Sequence, residues 1–126
     1  APSSAQAASV VARVDVSQQR MRVYVNGRLR HTWRVSTGRG RYRTPRGAWS
    51  AKWLSRHHRS RKYNNAPMPF AIFFRGGYAV HATNHISALG RPASHGCVRL
   101  HPRNASRLFS LVRRNGLRNS RVVITN

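Results

Sequence analysis

Acidic side chains are nearly absent from this sequence. Asp15 is the one carboxylate among 126 residues, against 24 Lys and Arg, and the formal net charge is +23. A single carboxylate cannot make the acid pair of a glycosidase. Nor can it build a calcium loop or a magnesium-dependent phosphoryl-transfer site. A Cys-His-Asp triad is equally disfavoured, so any histidine that must be oriented has to use a backbone carbonyl or an Asn. Cysteine is reduced to Cys97, which rules out an internal disulfide. Lysine is reduced to Lys52 and Lys62, so the charge is carried by arginines. No apolar run approaches the roughly 20 residues that a membrane span needs. The length suits one domain with one modest core. Residues 1–9 are rich in Ala, Ser and Gln without periodicity. They read as a flexible tail left after signal-peptide removal, ahead of one folded domain over residues 10–126.

The charge points to a polyanion partner, and charge alone does not choose among nucleic acid, lipopolysaccharide and acidic wall polymer. No zinc finger, basic zipper or Arg-Gly-aromatic RNA-binding string accompanies it, so specific nucleic-acid recognition is not expected. Non-specific, salt-dependent DNA binding in vitro is. A monomer is expected.

Residues 10–16 and 21–25 alternate as strands around a turn at Ser17-Gln18-Gln19. Asn26-Gly27 is a strong hairpin signal, returning the chain as a third strand over 29–35. The first third therefore reads as an antiparallel meander. Arg39–Arg43 reads as an exposed basic loop and Thr44-Pro45-Arg46-Gly47 as a turn. A strand over 48–54 would carry Trp49 and Trp53, with Trp33, Trp49 and Trp53 assigned to core or sheet faces in preference to sugar platforms. Residues 55–67 are polar and aperiodic and read as a loop flanking a site, with His57 and His58 solvated. Pro69–Phe74 is a buried strand by its continuous apolarity, turning at Arg75-Gly76-Gly77 into Tyr78–His81. Ala105, Leu108, Phe109 and Val112 form one helical stripe, with Asn104 as N-cap and Gly116 at the C-terminal end. Arg121–Thr125 closes the chain as a strand. The expectation is a mainly β domain with one clear helix.

The chemistry concentrates in Ala93-Ser94-His95-Gly96-Cys97-Val98-Arg99-Leu100-His101. A lone thiol beside a glycine, with histidines nearby, is the pattern of a cysteine nucleophile. The thiolate is the attacking form, and Arg99 and the positive field favour it. His81 arrives at the end of a separate strand, a rigid position from which it can face the sulfur as base. Backbone N–H groups around Gly96-Cys97 would meet a tetrahedral oxyanion, and a side chain at 96 would crowd it. Arg99 suits a bidentate clamp on a substrate carboxylate. Tyr63, Met68 and Phe70 border the basic loop and are candidates to line a donor groove. Zinc is the rival use of His81, His85, His95, Cys97 and His101, but no metal-ligand spacing is present. No metal or cofactor is expected.

The stretch from His81-Ala82-Thr83 through Leu89-Gly90-Arg91-Pro92-Ala93-Ser94-His95-Gly96-Cys97-Val98-Arg99-Leu100 closely resembles the signature of the L,D-transpeptidase catalytic domain, the YkuD family. Val35-Ser36-Thr37-Gly38 and Thr44-Pro45-Arg46-Gly47-Ala48-Trp49 resemble two further family segments, extending the likeness over roughly residues 10–125. The resemblance implies a compact β-sandwich or barrel-like fold. It also implies Cys97 as nucleophile, His81 as catalytic histidine and the Ala82 carbonyl as its orienting partner. Ser94 and His95 would hold the turn and line the pocket. The implied substrate is the peptide stem of peptidoglycan, attacked at the third residue with release of D-Ala. The acceptor would be a stem amine, water, or the amine of an outer-membrane protein. A periplasmic or other extracytoplasmic location and acylation by carbapenems follow from the same likeness. Two features depart from the pattern: Ala82 stands where Gly or Ser is usual, and the interval from His81 to Ser94 is short, as though the flap over the site were trimmed.

Overall fold

The computed structural model describes residues 8–126, so residues 1–7 of the expected tail lie outside the described residues. The expected meander is present as β1 (Val10–Asp15), β2 (Arg20–Val25) and β3 (Arg28–Arg34). Asn26 and Gly27 both take positive φ (50° and 82°), as a tight two-residue hairpin requires. The C-terminal strand β9 (Ser120–Thr125) pairs parallel to β1, and β4 (Gly47–Ser50) pairs antiparallel to β9. The result is a five-stranded sheet in the order β3-β2-β1-β9-β4.

The second sheet runs β5 (Trp53–Arg59), β6 (Pro67–Arg75), β7 (Tyr78–Ala82), β8 (Val98–Leu100). β7 and β8 are parallel, and the other pairs are antiparallel. Val10, Val14, Met21 and Val23 from the first sheet share one core with Ile72, Phe74, Val80, Val98 and Leu100 from the second. The helix α1 (Pro102–Asn115) inserts Ala105, Leu108, Phe109 and Val112 into that core, the stripe expected from the periodicity, and packs on β6 and β7. Gly116 ends it at φ 95°.

Three expectations are corrected. The apolar stretch 48–54 is two strands, because the chain crosses between sheets at Ala51-Lys52. There Ala51 N–H donates to Ser120 of the first sheet and Lys52 N–H to Phe73 of the second. Residues 55–59 belong to β5 and pair with β6, so only 60–66 remain as a loop. The helix starts earlier than Asn104: His101 is the cap, its Nδ1 accepting from Arg103 N–H at 3.1 Å, with Pro102 in the first turn where its missing N–H costs nothing.

Candidate active site

The core side of β7 and β8 is apolar: Val80, Ala82, Val98 and Leu100 all face the shared core. Side chains alternate along a strand, so Ala79, His81, Cys97 and Arg99 point to the opposite, outer face. The parallel register places His81 opposite Arg99 and Val80 opposite Val98, and continuing it by one more residue brings Ala79 beside Cys97. A cleft of about 560 Å³ opens on this face, and His81, Cys97, Arg99, Ser94, His95, Tyr63 and Met68 all line it.

His81 is 6% exposed, and its Nδ1 lies 2.7 Å from the Ala82 carbonyl oxygen. A carbonyl only accepts, so Nδ1 carries the proton and Nε2 is left as the acceptor nitrogen. Burial pushes the imidazole down from 6.5 to about 4, opposed by the Ala82 bond and reinforced by Arg99 and His58. Burial also pushes the Cys97 thiol up from 9.0, although a backbone bond at Ala79 and the Arg99 charge pull the other way. The field of Arg99, expected to favour a thiolate, is outweighed by desolvation. At neutral pH the resting pair is therefore thiol and neutral imidazole.

The turn that presents Cys97 is held by hydroxyl groups. Ser94 is 1% exposed; its Oγ donates to the Cys97 carbonyl at 2.6 Å and accepts from Gly96 N–H at 3.1 Å. Thr44 Oγ1 donates to the Gly96 carbonyl at 2.8 Å and accepts from Gly38 N–H at 2.9 Å. Ser36 exchanges two backbone bonds with Arg99, and the Thr37 carbonyl accepts from Ala93 and Ser94. The Ser-Thr-Gly and Thr-Pro segments thus serve as the bracket of the Cys97 turn, a role their sequence did not disclose. Gly96 takes φ 123°, and a Cβ there would fall 2.7 Å from the Tyr78 ring. The Gly96 N–H is engaged by Ser94 Oγ.

His95 lies between two tyrosines: Tyr63 stacks on it at 4.3 Å and Tyr42 meets it edge-on at 4.7 Å. Burial lowers its pKa, with Arg99, Arg39 and Lys62 adding to the effect. The Tyr63 contact brings the 60–66 loop against the Cys97 turn. Among the described residues Arg99 is half-buried and faces no carboxylate; burial lowers its pKa, and its Nη1 donates to the Ala93 carbonyl at 3.4 Å. Asp15 is not among the residues lining the cleft; it ends β1, where it accepts from Ser17 Oγ and Gln18 N–H. The short segment after β7 folds into a single 3₁₀ turn, Ile86–Ala88, pinned by Ser36 Oγ to the Ala88 carbonyl and by Gly90 N–H to the Val35 carbonyl. Among the described residues, the histidines weighed for zinc do not converge with Cys97 on a metal-holding cluster.

Phe70 is not in the cleft. It takes φ 55° inside β6, which breaks the strand's alternation. Ala71 and Phe73 face the cleft side and Ile72 and Phe74 the core; simple alternation would send Met68 to the core with Phe70. The kink instead turns Met68 onto the cleft side while Phe70 packs edge-on against Phe109, under Arg56. His58, expected to be solvated, sits half-buried in the cleft wall against Phe73 and Trp53. Trp53 lines the cleft as well. The place of these two residues in the cleft wall was not legible in the sequence, because the strand that carries them has no apolar alternation.

A two-sheet β domain that turns a buried histidine and an isolated thiol into one acid-free cleft is the framework of a cysteine–histidine site. The model of the YkuD family, the L,D-transpeptidase catalytic domain, matches residues 9–124, and the chain belongs to that family. It is 30% identical over 103 residues to the YkuD protein of Bacillus licheniformis, covering 79% of this chain and 58% of the relative. An L,D-transpeptidase structure from Xylanimonas cellulosilytica superposes with TM-score 0.81 at 27% identity, over 94% of this chain and 61% of the other. The L,D-transpeptidase LdtMt1, solved in complex with imipenem, superposes with TM-score 0.84 at 20% identity, over 94% and 59%, a likeness of fold. The chain thus spans about three-fifths of the length of these proteins. The mainly β architecture with a single long helix agrees with the fold expected from the sequence.

Proposed function

We propose that the protein is a peptidoglycan L,D-transpeptidase with Cys97 as nucleophile. The observation that carries this reading is the shared face of β7 and β8, where a histidine whose Nδ1 is committed to the Ala82 carbonyl lines the same cleft as the only thiol. As Sγ bonds to the carbonyl carbon of the third stem residue, the thiol proton passes to His81 Nε2. Because both groups rest neutral, the transfer accompanies attack. The Cys97 amide faces the developing oxyanion. Collapse breaks the peptide bond, and His81 returns the proton to the departing D-Ala amine. An acceptor amine then attacks the thioester, loses its proton to His81, and the sulfur leaves to recover it. Arg99, without an acid of its own, binds a substrate carboxylate. A substrate in the wall supports a working location outside the cytoplasmic membrane.

The test is mass spectrometry of disaccharide-tetrapeptide incubated with wild type and with Cys97→Ala. A cross-linked dimer lacking one D-Ala, absent with the variant, is the expected product. Tripeptide alone, again dependent on Cys97, would make the protein an L,D-carboxypeptidase. Transfer to a protein amine in place of a stem amine would make it an anchoring enzyme. No conversion by either sample overturns the proposal.

A further inference from the structure

The apolar floor of the cleft runs straight across the four-stranded sheet. Trp53 on β5 is the register partner of Phe73 on β6, and Phe73 is the partner of Ala79 on β7. Extending the β7–β8 register by one residue from Val80 and Val98 brings Ala79 beside Cys97. These four residues form one row on the outer face, with the nucleophile at one end and the indole at the other. Three strand spacings of about 4.8 Å separate the two ends by roughly 14 Å. Between them Phe73 and Ala79 are buried in a small apolar cluster against which Cys97 also packs.

Trp53 is the exception in this row, since it is 45% exposed while lining the cleft. Its ring lies flat on Phe73, with centroids 4.1 Å apart and planes within 4°. His58 meets both rings edge-on, at 5.5 Å and 4.8 Å. One face of the indole is therefore covered and fixed, and the other is offered to the cleft. A large, flat, immobilised aromatic face open to solvent at the rim of a polar cleft binds an amphipathic partner at little entropic cost. The axial C–H face of a sugar ring is such a partner. Its hydroxyl groups stay in water or meet the basic side chains nearby, Arg61 and Lys62.

We propose that the open face of Trp53 is a carbohydrate subsite, stacking on a sugar ring of the glycan that carries the donor stem while Cys97 engages the peptide. The inference rests on the acyl-transfer reading of Cys97. With the third stem residue at the sulfur, two residues and a short acyl link remain before the sugar. Counted from the attacked carbonyl, the backbone of the third residue adds to these, and three extended residues at about 3.5 Å each, about 10.5 Å, together with the link reach the roughly 14 Å of the row. The protein then distinguishes stems still attached to glycan from free peptides, and the distinction lies in binding.

The experiment measures acylation by glycan-linked tetrapeptide and by free tetrapeptide, for wild type, Trp53→Ala and Trp53→Phe. In wild type the KM for the glycan-linked stem should be about tenfold lower, the scale of one good aromatic stack. Trp53→Ala should bring the ratio between the two substrates to one, and Trp53→Phe should keep part of it. Equal KM values in wild type, or parallel loss of both substrates in a folded Trp53→Ala protein, would overturn the proposal. A binding measurement needs no turnover: in Cys97→Ala, glycan-linked tetrapeptide should quench indole fluorescence, and the quench should vanish in Cys97→Ala/Trp53→Phe. Quenching through Trp53 without any acyl-enzyme in wild type would uphold the subsite and sink the transpeptidase reading. Acyl-enzyme formation indifferent to the glycan would do the reverse.

Discussion

Gly38 and Gly96 are the positions where one added carbon would be felt at the sulfur. A Cβ on Gly38 would lie 1.5 Å from the Tyr42 carbonyl oxygen and 3.1 Å from Gly96 Cα, so the backbone on both sides would have to move. Gly38→Ala should lower stability by more than about 2 kcal/mol, read by urea unfolding, and change the rate at which iodoacetamide alkylates Cys97, read by intact mass. His81 sets a pH dependence whose sign is fixed by burial. Its folded pKa, about 4, lies below the ordinary 6.5, so the unfolded chain takes up the proton first as pH falls. His81 thus contributes a stability increment of order 3 kcal/mol that is present above pH 6.5 and is lost as pH drops toward 4. Denaturant midpoints between pH 7 and pH 4 should fall steeply in wild type and less in His81→Gln. The raised thiol predicts, in addition, that iodoacetamide labels Cys97 slowly at pH 7 and faster only in the alkaline range.

At the scale of elements, the turn between β1 and β2 does more than reverse the chain. Gln19 is buried with φ 52°; its Oε1 accepts from Thr37 N–H at 2.9 Å, and its Nε2 donates to Thr37 Oγ1 at 2.7 Å and to the Val16 carbonyl at 2.8 Å. Thr37 in turn holds Ala93 and Ser94, so one amide ties the first hairpin to the Cys97 turn. Gln19→Leu leaves the Thr37 N–H without a partner in the interior. It should cost about 1–3 kcal/mol, measured by chemical denaturation. The sequence showed this turn but not its purpose, because the partner lies 18 residues away. The same limit explains the other differences. Local signals, such as the Asn26-Gly27 hairpin and the Ala105–Val112 stripe, were legible since neighbouring residues decide them. The switch of sheets at Ala51-Lys52, the pairing of β5 with β6 and the kink at Phe70 depend on what lies across the fold. Cys97 was singled out as the one thiol in the sequence, and His81 among seven histidines because it ends a separate strand and matches the family's motif. Trp53 and His58 were not, because their meaning comes only from the strands they pair with.

The whole molecule carries an unbalanced charge, and part of it is forced into contact. On the outer face of the five-stranded sheet, Arg20 is directly opposite Arg34 and Arg13 directly opposite Arg22. Like charges so placed repel. Arg34→Glu should therefore raise stability by about 0.5 kcal/mol at low salt, with the gain shrinking in about 0.5 M NaCl as the repulsion is screened. We propose that this surface holds the protein to anionic wall polymer, and its retention on isolated cell wall should then fall sharply from about 50 mM to about 500 mM salt. Retention that ignores salt would remove electrostatics as the cause. The parallel pairing of β1 with β9 has a mechanical consequence. The start of β1 and the end of β9 lie at opposite ends of one hydrogen-bonded ladder, with Val10 beside Ser120 and Asp15 beside Thr125. A pull applied between those two points loads every rung in shear at once, whereas an antiparallel pair peels open one bond at a time. Tension transmitted through segments joined at either side would meet the domain along its most resistant axis, and the cleft on the other sheet would keep its shape until that ladder gave way.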